Sequence, residues 1–310
     1  MITIFKSSDN GLEPVPEIVN GCWVHVTDPA PDELARLPGL LGVPQDLLAY
    51  PLDLDEMART EKEEGVTLAV IRIPHFQGAG ADIPYITVPL GLILTDRIVA
   101  TIGRVETDVL KDFQHSRVRS LSTGKRNRFV LRVLLRTAAQ YLTHLREINR
   151  ITDGLEDRLQ RSLRNKELLE LLKYQKSLVY FTTALKSNEL MLERLQKGQM
   201  FLAFPEDQDL LDDVLTENQQ AIEMTGIASN ILSQMMDAFA SIISNNLNVV
   251  MKFLASVTII LTVPTMIASF YGMNVPLPLQ QEFHAFPLVL GVSCALVVAL
   301  GFIFWKLDWL

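Results

Sequence analysis

The chain has 310 residues, of which 48% are hydrophobic, and it carries a formal net charge of −8 with a pI of about 5.2. This acidic balance argues against a nucleic-acid-binding protein, which would need clustered Lys and Arg. The mean hydropathy of +0.21 combines an ordinary soluble portion with two strongly apolar runs near the C-terminus. The 2 cysteines, Cys22 and Cys294, are far apart in sequence, so we expect no disulfide framework and a reducing compartment.

Residues 1–105 have the pattern of an α/β domain, which we expect to be cytoplasmic. Short runs rich in β-branched residues predict strands at Ile2–Phe5, Gly21–Thr27, Val66–Ile73, Ile86–Leu94 and Ile98–Gly103. Helices are predicted at Pro31–Leu37 and Gln45–Tyr50. The glycine-rich stretch Gly78–Ala81 is predicted to be a turn between two strands.

From residue 106 the pattern becomes helical. Apolar residues recur along one face of a long charged helix, at Leu142, Leu145, Ile148, Ile151, Leu155, Leu159 and Leu163. A second helix is predicted over Lys166–Lys197, and we assign residues 106–204 to a helical cytoplasmic region. Phe204-Pro205-Glu206 interrupts this pattern. We assign residues 205–248 to a stalk whose helix begins near Asp209 and runs into the membrane.

The soluble part shows no enzyme motif, and we expect a protein that is not an enzyme. The string Ser122-Thr-Gly-Lys125 lacks the glycine-rich lead of a phosphate-binding loop, and dinucleotide, zinc-protease and nucleophile-elbow signatures are absent. Acidic residues at Asp53, Asp55 and Glu56 are expected to be a solvated loop or helix start. Isolated histidines are expected to be surface or core residues and not ligands; they are His25, His75, His115 and His144.

Two uncharged apolar runs, Phe253–Tyr271 and Phe286–Trp305, lie near the C-terminus, and we assign the two spans to residues 249–271 and 286–305. Each has roughly the 20 residues that a helix needs to cross a bilayer. The connecting loop, residues 272–285, has no Lys or Arg, whereas Lys252 precedes the first run and Lys306 begins the tail 306–310. The positive-inside rule therefore predicts an integral protein of the plasma or inner membrane, with both termini cytoplasmic and the loop outside. The start of the chain reads as a strand, so no signal peptide is predicted.

A polar seam marks the stalk and the first apolar run. Its steps alternate between four and three residues, which is the 3.5-residue repeat of a helix in a supercoiled bundle. The seam consists of Asp237, Ser241, Ser244, Asn248, Met251, Ala255, Thr258, Thr262, Thr265 and Ser269. Apart from Met251 these residues are small or polar, whereas the other faces of the run are apolar.

Two interpretations of the seam compete. Small polar residues let membrane helices pack closely and hydrogen-bond to one another. Alternatively the seam lines a water-filled conduit, which requires a symmetric ring of subunits because two spans cannot enclose a pore. We favour a pore-lining role, since the seam crosses the whole run, continues into the stalk, begins at a carboxylate (Asp237) and ends near Asn274.

A specific string closes the first run: Pro264-Thr-Met-Ile-Ala-Ser-Phe-Tyr-Gly-Met-Asn274. With the layout of a long soluble part, two C-terminal spans and a Trp-Leu end, it resembles the CorA family of divalent-cation channels and transporters. The resemblance implies an α/β cytoplasmic domain, long stalk helices and two C-terminal transmembrane helices. It also implies a homo-pentameric funnel in the lipid bilayer, with Mg²⁺ as the transported and regulatory ion.

The segment Gly272-Met273-Asn274 is predicted to form the selective mouth. Mg²⁺ dehydrates reluctantly, so a mouth should offer neutral oxygens that hydrogen-bond to its water shell. A ring of Gly272 carbonyls and Asn274 amide oxygens would do so, because glycine lets the backbone approach closely and adopt turn angles. The same tripeptide reads as a helix C-cap followed by Pro276, and the two interpretations are compatible.

The external loop departs from the magnesium-transporting members of that family. Their loop typically continues with Met-Pro-Glu-Leu, whereas here one acid (Glu282) and one histidine (His284) follow the tripeptide. Their lysine cluster before the final Trp-Leu is reduced to Lys306. An imidazole near the mouth suits Zn²⁺, Co²⁺ or Ni²⁺ better than Mg²⁺, so these ions remain the alternative cargo.

Acids early in the stalk are candidates for a regulatory cation site. Asp212, Asp213 and Glu217 lie on roughly one helical face. In CorA-like proteins the corresponding stretch carries a carboxylate that binds Mg²⁺ between subunits and holds the pore shut, and Asp213 takes its place. The partner acid is expected to come from the N-terminal domain, where we assign Asp82. A solvated helix face remains the alternative.

A function of another class also remains open. The chain could be a membrane-tethered scaffold or cation sensor that keeps the fold and conducts poorly. The polar seam is the discriminating feature, because lipid anchoring alone does not need a 3.5-residue polar repeat.

Overall fold

The computed structural model describes residues 1–8, 11–115, 121–161, 165–278 and 283–309. These residues divide into two compact units, Met1–Met236 and Asp237–Leu310. The strands of the described part all lie in the first unit, and the second unit consists of the end of one long helix and a second, shorter one.

The first unit is built on a mixed sheet of seven strands in the order β2-β1-β3-β7-β6-β5-β4. The strands are β1 Ile2–Ser8, β2 Gly11–Pro14, β3 Trp23–Thr27, β4 Arg59–Glu63, β5 Val66–Phe76, β6 Tyr85–Leu94 and β7 Val99–Gly103. β3 and β7 run parallel, and the other neighbouring strands are antiparallel. β5 and β6 are apolar and buried along most of their length, as expected of strands covered on both faces.

Helices cover both faces of this sheet. They are α1 Pro31–Leu41, α2 Gln45–Ala49 with a 3₁₀ turn at Tyr50–Leu52, α3 Asp108–Gln114, α4 Arg126–Arg161 and α5 Asn165–Lys197. Val24 packs in one core with Leu37 and Leu48 of α1 and α2. The preceding residue, Trp23, points to the other core, with residues of α3, α4 and α5. The predicted α/β class is therefore confirmed, in the form of three layers.

β1 and β5 end three residues beyond their predicted ends, and two strands and one helix end differ more from the sequence analysis. β2 and β4 were not predicted, because both are short edge strands, and β4 reads Arg-Thr-Glu-Lys-Glu without an apolar face. α1 continues past the predicted end at Leu37 to Leu41. Gly42 then ends it with φ +67° and donates its N–H to the Pro38 carbonyl at 2.9 Å, a conformation that favours glycine.

The long helix α6 spans Pro205–Tyr271 and begins earlier than the predicted Asp209. Proline is tolerated at a first helical position because its missing N–H would have had no helical partner there. The carboxylate of Asp207 accepts the backbone N–H groups of Ala203 and Phe204 at 3.1 and 3.0 Å, which fixes the chain that enters the helix.

Two helices of the described chain are long and apolar enough to cross a membrane, α6 and α7 (Ala285–Lys306). Only 6% and 11% of their most apolar stretches are buried within the chain. A core helix of a soluble protein would be mostly buried, and a signal sequence would lie at the N-terminus. Uncovered apolar helices at the C-terminal end therefore fit the predicted pair of spans.

Candidate ion pathway

The polar seam lies within the second unit, on the part of α6 that begins at Asp237. Every seam residue, from Asp237 to Ser269, is exposed in the single chain. Met251, the one large apolar member, is 57% exposed. Within the part of the chain that the structure describes, the seam is therefore left uncovered.

The opposite side of the same helical segment is the covered one. Ser256 is fully buried, and the half-buried positions that follow at helical spacing are Ile260, Val263 and Ile267. At 3.6 residues per turn this buried face is centred about 150° away from the seam. The helix thus turns an apolar face to the interior of its own unit and the polar seam away from it.

Four seam hydroxyls in the apolar run, those of Thr258, Thr262, Thr265 and Ser269, have a common hydrogen-bond arrangement. Thr258 and Thr262 donate to the carbonyls of Leu254 and Thr258 at 2.7 Å, four residues earlier. Thr265 and Ser269 do the same with the carbonyls of Leu261 and Thr265 at 2.8 Å. Each hydroxyl proton is used inside the helix, so the oxygens present lone pairs outward. Acceptors of this kind suit the water molecules around a cation, whose hydrogens point away from the ion.

The mouth segment follows the last residue of α6. The N–H of Gly272 donates to the Ala268 carbonyl at 2.9 Å, and that of Met273 donates to the Phe270 carbonyl at 3.2 Å. Gly272 does not have the positive φ that a turn glycine would show. Glycine is instead suited to this position because the backbone approaches the preceding turn closely: a Cβ on residue 272 would lie 3.3 Å from the Ala268 carbonyl oxygen. Met273 and Asn274 are exposed beyond this cap.

The external loop is described only in part. The Tyr271 hydroxyl reaches the Pro278 carbonyl at 3.4 Å, which draws the start of the loop back toward the end of α6. Glu282 lies outside the described residues. His284 is exposed immediately before α7, and its ring lies 5.3 Å from that of Phe283.

The stalk acids are not equivalent. Asp212 Oδ1 accepts hydrogen bonds from the side-chain amides of Gln196 and Gln208 at 3.1 and 2.9 Å. Asp213 points to solvent, and Glu217 is half-buried. Among the described residues no group of three or more His, Cys, Asp or Glu side chains could hold a metal ion. Within the described ranges, Asp213 is therefore not part of a preformed metal-binding cluster.

Asp82 does not meet Asp213 within one chain. Its loop between β5 and β6 is fixed to α5 through Lys173, whose Nζ donates to the Ala81 carbonyl at 3.1 Å. Asp212 contacts the other end of α5, at Gln196. Lys173 and Gln196 are separated by about 35 Å along α5 at the helical rise of 1.5 Å per residue. An ion bridging the two acids would require Asp82 from a neighbouring subunit.

One positioning residue was missed by the sequence analysis. Asp207 is 1% exposed, and its Oδ1 accepts a hydrogen bond from Arg128 Nε of α4 at 3.0 Å, beside the two backbone bonds described above. It therefore ties the start of α6 to the start of α4. An acid two residues after a helix-initiating proline was the signal available in the sequence.

These features define a class: a protein with a large α/β unit, a long helix and two C-terminal membrane-spanning candidates, one of them with a polar seam. The chain belongs to the CorA family. The model of the family described as CorA-like Mg²⁺ transporter protein matches residues 20–306.

Individual relatives agree with this assignment. The cobalt/magnesium transport protein CorA of Methanocaldococcus jannaschii is 28% identical over 327 residues, with 100% of both chains covered. The solved complete structure of the CorA magnesium transporter from the same organism superposes with a TM-score of 0.87 at 24% identity, covering 100% of this chain and 99% of that one. The full-length CmaX structure has a TM-score of 0.71 at 15% identity and covers 96% of both chains, which shows a shared fold.

Proposed function

We propose that the chain is the subunit of a homo-pentameric divalent-cation channel or transporter in the plasma or inner membrane, with Mg²⁺ as its cargo. The observation that carries this proposal is the seam from Asp237 to Ser269, which is polar, exposed and turned away from the buried face of its own unit. In a ring of subunits, one such seam from each chain faces the central axis.

The seam suits an ion that keeps its water shell. Hydroxyl oxygens whose protons are already bonded within the helix can only accept, so they hydrogen-bond to the coordinated waters without displacing them. At the mouth, the Gly272 carbonyl and the Asn274 amide oxygen do the same, and Met273 between them closes the turn. Selection then acts on the size and charge of a hydrated cation.

The identity of the ion rests on the family and on the loop. The curated relative from Methanocaldococcus jannaschii is named for cobalt and magnesium. The exposed His284 beside the loop favours Zn²⁺, Co²⁺ or Ni²⁺ as the second candidate, because imidazole binds these ions better than it binds Mg²⁺.

Lys252 and Lys306 support the proposed topology. Both are exposed next to the apolar stretches of α6 and α7, and the loop residues 272–278 and 283–284 carry no Lys or Arg. The positive-inside rule then places both termini in the cytoplasm and the Gly-Met-Asn mouth outside.

A cytoplasmic regulatory site at Asp213 completes the proposal. A divalent ion that bridges Asp213 to an acid of a neighbouring subunit would offset the repulsion between like charges, so occupancy would favour one of two arrangements of the ring.

Ion flux into proteoliposomes tests the proposed function directly. Flux of Mg²⁺, Zn²⁺, Co²⁺ and Ni²⁺ is measured for three purified proteins: the parent, Asn274→Ala and the matched control Asn245→Ala. The control removes an exposed amide that does not belong to the seam. We expect Mg²⁺ flux, a decrease of at least about tenfold in Asn274→Ala from the lost acceptor, and normal flux in the control. Full flux from correctly assembled Asn274→Ala would remove the mouth from the proposal. Absence of flux for all four ions would favour the scaffold or sensor.

A further inference from the structure

His144 of α4 and Tyr85 of β6 meet inside the Met1–Met236 unit. Tyr85 is fully buried and His144 is 7% exposed, and their rings lie 5.0 Å apart. His144 Nδ1 and Tyr85 Oη are buried without a hydrogen bond of normal geometry in the described part of the chain. Buried polar atoms of this kind are rare and usually have a specific cause.

A carboxylate stands next to this pair. Glu147 lies one turn along α4 from His144, and its Oε2 is 3.7 Å from His144 Nδ1, just beyond hydrogen-bond distance. The other ring nitrogen, Nε2, is 3.0 Å from the side-chain amide of Gln140. The imidazole is therefore satisfied on one side and faces a carboxylate on the other.

Each element packed around the imidazole contributes a titratable or charged group. They are His75 on β5, Tyr85 on β6, Asp108 and Lys111 on α3, Glu147 and Arg150 on α4, and Tyr174 on α5. Burial lowers the pKa of His144, and Glu147 and Asp108 oppose this effect only in part. Burial, and then Glu147, raise the pKa of Tyr85. At neutral pH the cluster thus holds an uncharged imidazole and an uncharged phenol.

We propose that His144, Glu147 and Tyr85 form a proton-sensitive latch, which holds α4 against the β5–β6 hairpin at neutral pH and weakens when the surroundings become acidic. A proton on His144 places a cation against the buried Tyr85 ring, where water cannot reach it. Local opening lets water reach the imidazolium, so protonation favours the open form. The latch operates within the first unit and does not depend on ion transport.

The direction and size of the effect follow from linkage. In the closed form the imidazole binds a proton less tightly than a solvated histidine, whose pKa is about 6.5. Opening is therefore unaffected above that pH and is favoured below it, by up to about tenfold between pH 7.5 and pH 5.5. Glu147 reduces this pH dependence of opening, because its negative charge helps His144 to accept a proton in the closed form.

Hydrogen exchange of the full-length protein, followed by mass spectrometry, tests the latch. Exchange of α4 peptides around residues 140–150 is compared at pH 7.5 and 5.5 after correction for intrinsic rates. We expect protection to fall by up to about tenfold in the parent protein, to fall much less in His144→Gln, where His75 is the remaining histidine of the cluster, and to fall further than in the parent in Glu147→Gln. His115→Gln, which changes an exposed histidine of the same unit, should behave as the parent does.

The opposite responses of the two variants separate a latch from a merely structural histidine. Equal protection of the parent at both pH values, or the same loss in His144→Gln as in the parent, would overturn the proposal. If His144→Gln does not fold, Glu147→Gln decides, since the Glu147 side chain is 41% exposed and tolerates the change. A response of Glu147→Gln that equals the parent's would also overturn it.

Discussion

His25 is a buried side chain that contributes to the pH dependence of stability in the first unit. It lies on β3 with both ring nitrogens near threonine hydroxyls, Nδ1 at 3.0 Å from Thr101 Oγ1 and Nε2 at 2.8 Å from Thr27 Oγ1. Burial lowers the pKa of His25 to about 4. The folded protein therefore holds this imidazole in its neutral form across the physiological range.

The first prediction concerns acid stability. Because the folded pKa of His25 is below the unfolded value, its neutral form stabilises the fold fully above about pH 6.5. This stability is lost as pH falls toward about 4, by roughly 3 kcal/mol in total. This loss is measured by denaturant unfolding at a series of pH values, with circular dichroism as the signal for the first unit. The free energy of unfolding should fall less steeply with decreasing pH in His25→Gln than in the parent. An unchanged pH dependence would contradict the lowered pKa of His25.

The surroundings of His25 and His144 could not have been predicted from the sequence. Both histidines are isolated along the chain, and the sequence analysis treated them alike. Their difference arises from partners at distant positions, since His25 faces hydroxyls from β3 and β7 whereas His144 faces Tyr85 of the hairpin. Sequence spacing predicts which side chains are neighbours on one helix or strand. It does not predict contacts between side chains on different strands or helices.

At the scale of elements, α6 carries the seam that the proposed pathway requires. The buried face at Ser256 and Ile260 and the exposed seam at Thr258 lie on opposite sides of one helix. The proposed pathway requires that the Thr258 side, and not the Ser256 side, faces the central conduit.

The second prediction tests this orientation by cysteine labelling in proteoliposomes. A cysteine at Thr258 should react with a small hydrophilic thiol reagent at least about tenfold faster than one at Ile259 or Ile260, because thiolates form in water and not in lipid. The native Cys294 is first replaced by Ala as background. Equal rates at the three positions would mean that the seam packs between helices and lines no conduit.

The third prediction concerns the start of α6. Asp207→Asn removes the charge that pairs with Arg128 and weakens the bonds to Ala203 and Phe204, so the thermal midpoint should fall by roughly 5 °C. Glu206→Gln is the matched control. Glu206 contacts the same arginine, but its side chain is 74% exposed, so the midpoint should not change measurably. Equal shifts in both variants would show that Asp207 acts only as a surface charge.

Elements with a buried apolar face were predictable, and edge or capped elements were not. The runs in β5, β6 and β7 carry continuous hydrophobic sequence, and the predicted strands overlap them. β4 is a polar edge strand that forms because its backbone pairs with β5. The start of α6 at Pro205 depends on Asp207 and Arg128, which are far apart in sequence.

At the scale of the whole molecule, the two candidate spans and the family could be predicted from the sequence, because the length of an apolar run and the Pro-to-Asn string are local properties. The three-layer arrangement of the first unit could not, since it depends on which strands pair. The candidate mouth and seam follow from local spacing, whereas a site shared between subunits, such as Asp213 with Asp82, follows from assembly and stays a prediction.

The fourth prediction concerns regulation of the assembly. We expect millimolar Mg²⁺ to protect the parent protein against protease. Asp213→Ala should lose this protection and conduct more at high internal Mg²⁺, because it lacks the proposed bridging ligand. Asp212→Asn is the control, since an amide retains an acceptor for Gln196 and Gln208 and the protection should persist. Limited proteolysis and flux are measured on the same preparations. Parent-like behaviour of Asp213→Ala would place the regulatory site elsewhere.

The hydroxyl bonds along α6 also bear on how such a protein is made. Under the proposed function, a newly inserted chain would first lie in the bilayer as a monomer, with Thr258, Thr262 and Thr265 facing acyl tails. An unbonded hydroxyl donor in hydrocarbon would be costly, but each of these protons is already bonded to a carbonyl of its own helix. The residues that suit a hydrated ion in the finished ring are thus the ones that a solitary subunit can carry through lipid until its partners arrive.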